Sequence, residues 1–303
     1  MRGMRAMVAG LAAVALIAPG ASAGADEEPA TTVTTTVTQA ADGLTVSGDV
    51  AFAPYTMQVA EDFSGDANSV VPGELGTDIT GAFITSDPAK PNDLLFTMQM
   101  DSLPGGGLPE AVIYNWDLLV NGAAAGGGTS SNLVWKRTNV TGLTASTAPY
   151  IRLQTCAPGG TGNTCTAGSQ LPGGMDMDTA ALTATLRLRD LGATPGALIG
   201  GNGLSVYHGT GMLWFPGVTS DTAFIDEEFA VPRRDGAVKV AVVPAGAPTP
   251  KTFSHSATPS GAGANGAFSV KIPTENFAAG AYDVVTQACW GGNCSVTHTP
   301  VNL

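Results

Sequence analysis

Residues 93–101 read DLLFTMQMD, and residues 111–120 read AVIYNWDLLV. In both stretches apolar and polar side chains alternate, so that every second side chain falls on the same face of an extended chain. This two-residue period is typical of a β-strand with one buried face. Residues 181–189, ALTATLRLR, repeat the pattern with leucine and alanine on one face and threonine and arginine on the other. The three stretches therefore predict sheets that pack through one face.

Short apolar runs bounded by turn residues continue through the rest of the chain. Glycine accounts for 40 of the 303 residues and proline for 20, whereas only 13% are charged. This pattern predicts an all-β protein built as a sandwich or barrel. Eleven predicted strands suit one large β-sandwich of jelly-roll type. They cover residues 44–50, 55–62, 78–85, 93–101, 111–120, 132–138, 150–155, 181–189, 204–209, 212–215 and 223–231.

The stretch VPRRDG at residues 231–236 predicts a domain boundary, because Pro232 interrupts a strand and the two arginines that follow favour solvent. Beyond it the charge balance changes to three lysines against two acidic residues, whereas the preceding chain is strongly acidic. We therefore expect a large sandwich over residues 44–232 and a small β-domain over residues 236–303. The predicted strands of the small domain cover residues 237–243, 267–272, 281–290 and 294–301.

The amino terminus has the three parts of a secretory signal peptide. Arg2 and Arg5 precede an apolar stretch, and residues 21–23 form the small-residue cleavage site ASA. The alternative, a membrane anchor, is disfavoured because the apolar stretch is short for a bilayer span. We expect residues 1–23 to be removed and residues 24–43 to form a flexible Thr-rich leader. The expected product is secreted, with no stable membrane insertion.

Four cysteines occur as two pairs that are close in the sequence. Cys156 and Cys165 are separated by APGGTGNT, and Cys289 and Cys294 by WGGN. In a secreted chain this arrangement predicts two short-loop disulfides. The alternative is one metal site ligated by all four cysteines, but this chain lacks the CxxC spacing that such sites use.

The composition and the motifs restrict the function. The chain has 25 acidic and 13 basic residues, so we expect no nucleic-acid partner, which would require clustered Lys and Arg. The three histidines, His208, His255 and His298, are scattered, and neither GxSxG nor HExxH occurs. The sequence favours a binding or adhesion protein without enzymatic activity. Two alternatives stay open, a glycan hydrolase that uses a carboxylate pair and a purely structural exported protein.

The polar faces of the predicted strands form a candidate ligand surface. We predict binding of a polysaccharide or another cell-surface component, because guanidinium, carboxylate and amide groups on one sheet face can hydrogen-bond hydroxyls. The alternative is an ordinary solvated sheet face. An exposed aromatic platform formed by Trp135, Trp214 or Trp290 would favour ligand binding. The candidate residues are Gln99, Asn115, Asp117, Arg187 and Arg189.

Residues 62–68, DFSGDAN, place acidic and amide side chains around a glycine, as calcium loops do. The spacing does not fit an EF-hand, and a plain turn between two strands is the favoured alternative. Calcium bound here would stabilise the fold and take no part in chemistry. The candidate ligands are Asp62, Asp66, Asn68 and Asp78.

Two parts of the chain resemble known modules. The runs DFSGDAN, TDITGAFITSD and DLLFTMQMDSL, with the closing DTAFIDEEFAV, resemble exported bacterial sandwiches of the DOMON and family-9 carbohydrate-binding type. That resemblance implies a jelly-roll sandwich that binds sugar or haem on a sheet face and, in some members, calcium. The run GAFSVKIPTENFAAGAYDVVTQAC resembles an immunoglobulin-like or fibronectin-type-III-like module, which implies that Tyr282 packs near a corner. The expected fold is all-β, with a large jelly-roll-like sandwich and a small immunoglobulin-like one.

Overall fold

The computed structural model describes residues 30–62, 78–103, 111–127, 130–138, 150–159, 162–209 and 219–303. Within these ranges the chain consists of antiparallel strands, one α-helical turn and one 3-10 turn. The all-β prediction is therefore confirmed. The predicted signal peptide, residues 1–23, and the predicted strand at residues 212–215 lie outside the described residues.

The strands are numbered in chain order. The first eleven are β1 (Thr32–Val33), β2 (Thr36–Ala40), β3 (Gly43–Ala51), β4 (Tyr55–Glu61), β5 (Ile79–Ser86), β6 (Asp93–Met100), β7 (Ala111–Asp117), β8 (Leu119–Val120), β9 (Ala123–Ala124), β10 (Ser130–Thr138) and β11 (Tyr150–Gly159). The others are β12 (Gly162–Gln170), β13 (Gly173–Asp176), β14 (Ala181–Arg187), β15 (Leu198–Gly200), β16 (Leu204–Gly209), β17 (Thr219–Ala223), β18 (Phe229–Ala230), β19 (Val238–Pro244), β20 (His255–Ala257), β21 (Gly266–Ile272), β22 (Ala281–Trp290) and β23 (Asn293–Asn302). The 3-10 turn is Ala125–Gly127, and the helix α1 is Leu188–Leu191.

Two sheets form the large sandwich. One has five strands in the order β13-β14-β6-β5-β4, and the other has six in the order β12-β11-β10-β7-β16-β17. Their inner faces supply one continuous hydrophobic core, in which the rings of Phe96 and Trp116 meet edge to face with centroids 5.2 Å apart. A third sheet of short strands, β18-β15-β8-β9, contributes Ile199 and Phe229 to the same core.

The alternation in DLLFTMQMD corresponds to the two faces of β6. Leu94, Phe96, Met98 and Met100 are each at most 2% exposed, whereas the residues between them are half-buried or exposed. Burial of one such side chain stabilises the folded state by about 1.5–3 kcal/mol. The period of the sequence therefore identified the core face of this strand correctly.

A second hydrophobic core belongs to the small sandwich. One of its sheets has β3 at the centre, paired with β1 and β2 on one side and with β21 on the other. The facing sheet has the order β20-β19-β22-β23. Leu44, Val46 and Val50 of β3 lie in this core beside Val240 and Val284 of the facing sheet.

This pairing corrects two expectations about the amino-terminal segment. Residues 36–40, expected in a flexible leader, form strand β2 and pair with β3 in a hairpin. The predicted strand at residues 44–50 pairs with β21 near the carboxyl terminus, and its apolar side chains do not enter the core of the large sandwich. The physical reason is that a Thr-rich strand needs little apolar surface when a neighbouring strand satisfies its backbone hydrogen bonds. The small sandwich is thus formed by two separate segments of the chain, and the strands of the large sandwich lie between these segments in the sequence.

Direct contacts join the two sandwiches. The indole N–H of Trp290 donates to the carbonyl of Ser86 at 3.3 Å, and the amide of Ala264 donates to the carbonyl of Pro88 at 2.8 Å. Tyr55 packs against both cores, and its ring lies over the turn that joins β22 to β23. The side-chain amide of Asn293, the first residue of β23, donates to the carbonyl of Pro54.

Both predicted disulfides are present. Cys156–Cys165 links β11 to β12, and Cys289–Cys294 links β22 to β23, with each pair directly opposite in the strand register. In the part of the chain that the structure describes, no helix has the length and apolar character needed to cross a membrane.

Candidate functional site

The two arginines of the candidate set reach the same groove by a route that the sequence did not predict. Leu182, Ala184 and Leu186 of β14 face the core, so Arg187 at the end of the strand faces outward. The predicted strand at residues 181–189 stops there, because the chain turns into helix α1 at Leu188. Arg189 therefore projects from the helical turn instead of from the strand.

The groove that these arginines line has a volume of about 730 Å³. The end of β14 and the first residue of β6 line it from the five-stranded sheet, and β11 and the carboxyl-terminal half of β12 line it from the six-stranded sheet. A second depression of about 490 Å³ continues from it towards Thr194 and Pro195. Asp93, Arg187 and Arg189 line both depressions, which therefore adjoin each other; the two together are called here the Arg187 groove.

Charges of both signs meet in the Arg187 groove. Asp93 lies directly opposite Arg187 in the strand register, yet among the described residues neither side chain forms an ion pair within 4 Å. Arg189 contacts Asp190 at 3.4 Å, and their side chains are 72% and 45% exposed. An exposed pair of this kind is weak, so its groups are available to a ligand at little cost.

Neutral polar groups and apolar surface complete the groove. Leu153, Leu171 and Pro172 supply an apolar floor between the polar side chains. Such a mixture of hydroxyl, amide and apolar surface fits a ligand with polar groups around an apolar frame. The polar side chains are Thr155, Thr166, Ser169, Gln170 and Thr185.

The three other candidate ligand residues lie elsewhere and have partners in the protein. The amide of Gln99 donates to the carbonyls of Thr179 at 2.6 Å and Ala180 at 3.3 Å, which fastens the turn between β13 and β14. On the six-stranded sheet, Asn115 donates to Asn132 at 3.2 Å, and Asp117 accepts from Asn202. Of the five predicted residues, the structure therefore brings together only Arg187 and Arg189.

Two of the three tryptophans that were candidates for an exposed aromatic platform are core residues. Trp135 is fully buried, with its indole N–H donating to the carbonyl of Thr183 at 2.8 Å, and Trp290 is 1% exposed. Neither can stack on a ligand, so for these two tryptophans the structure shows the alternative, a place in the core. Trp214 lies outside the described residues.

The predicted calcium ligands are divided between described and undescribed residues. Asp62 follows β4 and Asp78 precedes β5, so the two lie at the same end of a strand pair. Asp78 is 5% exposed, and its carbonyl accepts from the amide of Asp101 at 3.0 Å. Asp66 and Asn68 lie outside the described residues. Within the described part of the chain, no group of three or more His, Cys, Asp or Glu side chains is placed to hold a metal ion. The calcium site stays a prediction.

Sequence reasoning missed Asp93 and the β12 wall of the groove. Asp93 is the first residue of a strand that was predicted, and its outward position follows from the same alternation that buries Leu94. β12 reads GNTCTAGSQ, which has too few apolar and β-branched residues to be recognised as a strand. Its pairing with β11 and the disulfide to Cys156 hold it in the six-stranded sheet, and its carboxyl-terminal half lines the same groove as the end of β14.

The outer face of the six-stranded sheet holds a buried lysine. Lys136 is only 3% exposed, and its ammonium group lies 5.7 Å from the centroid of the Tyr150 ring, directly opposite in the register. The guanidinium of Arg152 lies 4.8 Å from the same ring. Burial lowers the pKa of Lys136 below its ordinary value of 10.5, because desolvation disfavours the charged form.

Stability should therefore rise at alkaline pH through Lys136. Since the pKa of Lys136 is lower in the folded than in the unfolded state, the cost of burying its charge is fully present at neutral pH. That cost falls as the pH rises from the folded-state pKa towards 10.5, because the folded state loses its proton first. Urea unfolding across this window should show a steeper gain in the free energy of unfolding for the native protein than for Lys136→Met. Lys251→Met, a change at an exposed lysine, serves as the control. Equal slopes for all three proteins would contradict this assignment.

No protein-family model matches this chain, and neither curated proteins nor solved structures show a significant match to it.

Proposed function

We propose that this protein is an exported, non-enzymatic binding protein whose Arg187 groove holds a polysaccharide. The observation that carries the proposal is the groove in which Asp93, Arg187 and Arg189 stand among hydroxyl and amide side chains. Charged groups make stronger hydrogen bonds to hydroxyls than neutral groups do. A groove with both carboxylates and guanidinium groups can thus accept from and donate to vicinal hydroxyls, which each act in both roles.

The small sandwich supports this role as a spacer or contact module, and we propose that it is immunoglobulin-like. The hydroxyl of Tyr282, near the start of β22, donates to the carbonyl of Ala278 at 3.0 Å, and its ring meets Phe277 edge to face. A tyrosine near the start of a strand that bonds backbone a few residues upstream is a feature of immunoglobulin-like corners. Export is supported by the two disulfides, which persist in oxidising compartments.

A retention assay tests the groove directly. Residues 24–303 with both disulfides formed would be mixed with insoluble cellulose, chitin and xylan and with isolated bacterial cell walls, and the bound fraction measured. Arg187→Ala should weaken retention on the bound polymer about tenfold or more, because a hydrogen bond to a charged group contributes about 1.5–3 kcal/mol. The matched control is Lys251→Ala, which removes the same charge from an exposed loop.

The outcome separates the functions that the sequence left open. Retention that Arg187→Ala does not reduce would place binding outside the groove and contradict the proposal. Release of reducing sugar ends during the assay would favour the hydrolase, with Asp93 and Asp190 as the carboxylates that share the groove. Retention on none of the polymers would leave a structural role.

A further inference from the structure

We infer that the ligand is an extended, uncharged polysaccharide chain that crosses the five-stranded sheet, with Asp93 at the middle of its path. This inference rests on the proposed function and adds the length, direction and charge of the ligand. Its basis is a third depression that continues the Arg187 groove over the outer face of the sheet.

The third depression has a volume of about 300 Å³ and shares Asp93 and Thr185 with the Arg187 groove. Thr85, Lys90 and Leu95 line the part that the groove does not reach. Asp93 thus borders all three depressions. Together they form one path, called here the track, that runs from β12 to the turn between β5 and β6.

The strand register shows that the track runs across the strands. Thr85 of β5, Leu95 of β6 and Thr185 of β14 are directly opposite one another in the register and face outward. Neighbouring strands lie about 4.8 Å apart, so three strands span about 10 Å, and β12 extends the track further. Leu95 is 37% exposed and stands between two threonine hydroxyls. An apolar centre between hydroxyls matches a sugar ring, whose C–H groups and hydroxyls occupy different directions.

The charge of the track selects an uncharged ligand. The protein as a whole has 25 acidic and 13 basic residues, whereas the track has equal numbers of each. A polyanion or polycation would meet groups of its own sign along the whole path, whereas a neutral polyhydroxyl chain can bond to both signs. The charged residues are Asp87, Asp93 and Asp190 with Lys90, Arg187 and Arg189.

The small sandwich positions the far end of the track. The indole N–H of Trp290 donates a hydrogen bond to the carbonyl of Ser86, and the amide of Ala264 donates one to the carbonyl of Pro88. These two carbonyls lie on either side of Asp87 in the chain. Asn293 bonds the carbonyl of Pro54, which also lines the third depression. Preformed contacts of this kind reduce the conformational entropy lost on binding, so the small sandwich contributes to affinity without touching the ligand.

An oligosaccharide ladder tests the inference. Cello-, xylo- and chito-oligosaccharides of increasing length would be titrated into residues 24–303 by calorimetry, in parallel with the retention assay. Affinity should rise with chain length until the track is filled. Asp93→Asn should weaken every length by about tenfold, whereas Lys90→Ala and Thr85→Val should weaken only the longer chains. Glu275→Gln, a change at an exposed carboxylate of the small sandwich, is the control, and unchanged melting temperatures confirm that each variant folds.

The possible results distinguish this inference from the proposed function. Binding that depends on Arg187 but neither grows with chain length nor responds to Lys90→Ala and Thr85→Val overturns the track and leaves the groove as the binding site. Stronger binding of an acidic polymer such as polygalacturonate than of every neutral one overturns the charge argument. Failure of every polysaccharide to bind overturns the proposed function, and the inference with it.

Discussion

Residues 236–303 expressed alone are expected to be unfolded, although they contain a disulfide and four of the strands that the sequence predicts. β3 stands at the centre of one sheet of the small sandwich, and without it β21 loses its only partner strand among the described residues. Leu44, Val46, Val50 and Phe52 are at most 6% exposed, and their loss would open the core. Burial of each of these four side chains contributes about 1.5–3 kcal/mol to stability, so the fragment would lack about 6–12 kcal/mol of stabilisation. That is comparable to the whole stability of a small domain.

A linked pair of fragments provides the matched comparison. Residues 30–53 joined to residues 236–303 through a flexible glycine-serine linker should fold, since the linked fragments contain every buried residue of the core of the small sandwich. Backbone amide dispersion by NMR and a cooperative thermal transition would report folding in each case. A cooperative transition in residues 236–303 alone would show that β3 is dispensable and would contradict this interpretation.

Gly291→Ala is expected to destabilise the protein strongly where the two sandwiches meet. Gly291 has φ +57°, a conformation that costs residues with a Cβ about 1–2 kcal/mol. A Cβ there would lie 2.1 Å from Cδ1 of Tyr55, so the ring would have to move. That ring also stacks on Phe229 of the large sandwich with centroids 5.5 Å apart, and overpacking costs about 1–3 kcal/mol more. We expect a total loss of about 2–5 kcal/mol in the free energy of unfolding.

Gly246→Ala separates the steric effect from the backbone effect. Gly246 has φ +77°, but a Cβ there would meet no atom within 4 Å. Gly246→Ala should therefore lower the free energy of unfolding by only about 1–2 kcal/mol, which is the cost of placing a residue with a Cβ in this backbone conformation. Urea unfolding of both variants measures the difference, and Tyr55→Ala should remove much of the additional cost in a double variant. Equal losses for Gly291→Ala and Gly246→Ala would show that Tyr55 does not hold the two sandwiches together.

The candidate ligand site was only partly predictable, for a reason visible in Gln99 and Asn115. Alternation correctly placed both residues on outward faces, but whether a polar side chain is available depends on its neighbours in space. Gln99 is occupied by carbonyls of the turn between β13 and β14, and Asn115 by Asn132 on the next strand. Arg187 and Asp93 have no such partner among the described residues, and no pattern along the chain distinguishes them from the others.

The sequence by itself determined the all-β class, the buried face of β6 and the two disulfides, because each depends on residues that are neighbours along the chain. Alternation is a property of a single strand, and Cys289 and Cys294 are five residues apart on one hairpin. Only the tertiary structure decided that residues 36–51 complete the small sandwich and that β12 forms a wall of the Arg187 groove. Those features depend on pairing between distant strands, whose backbone hydrogen bonds are the same for every residue type and leave little trace in the sequence.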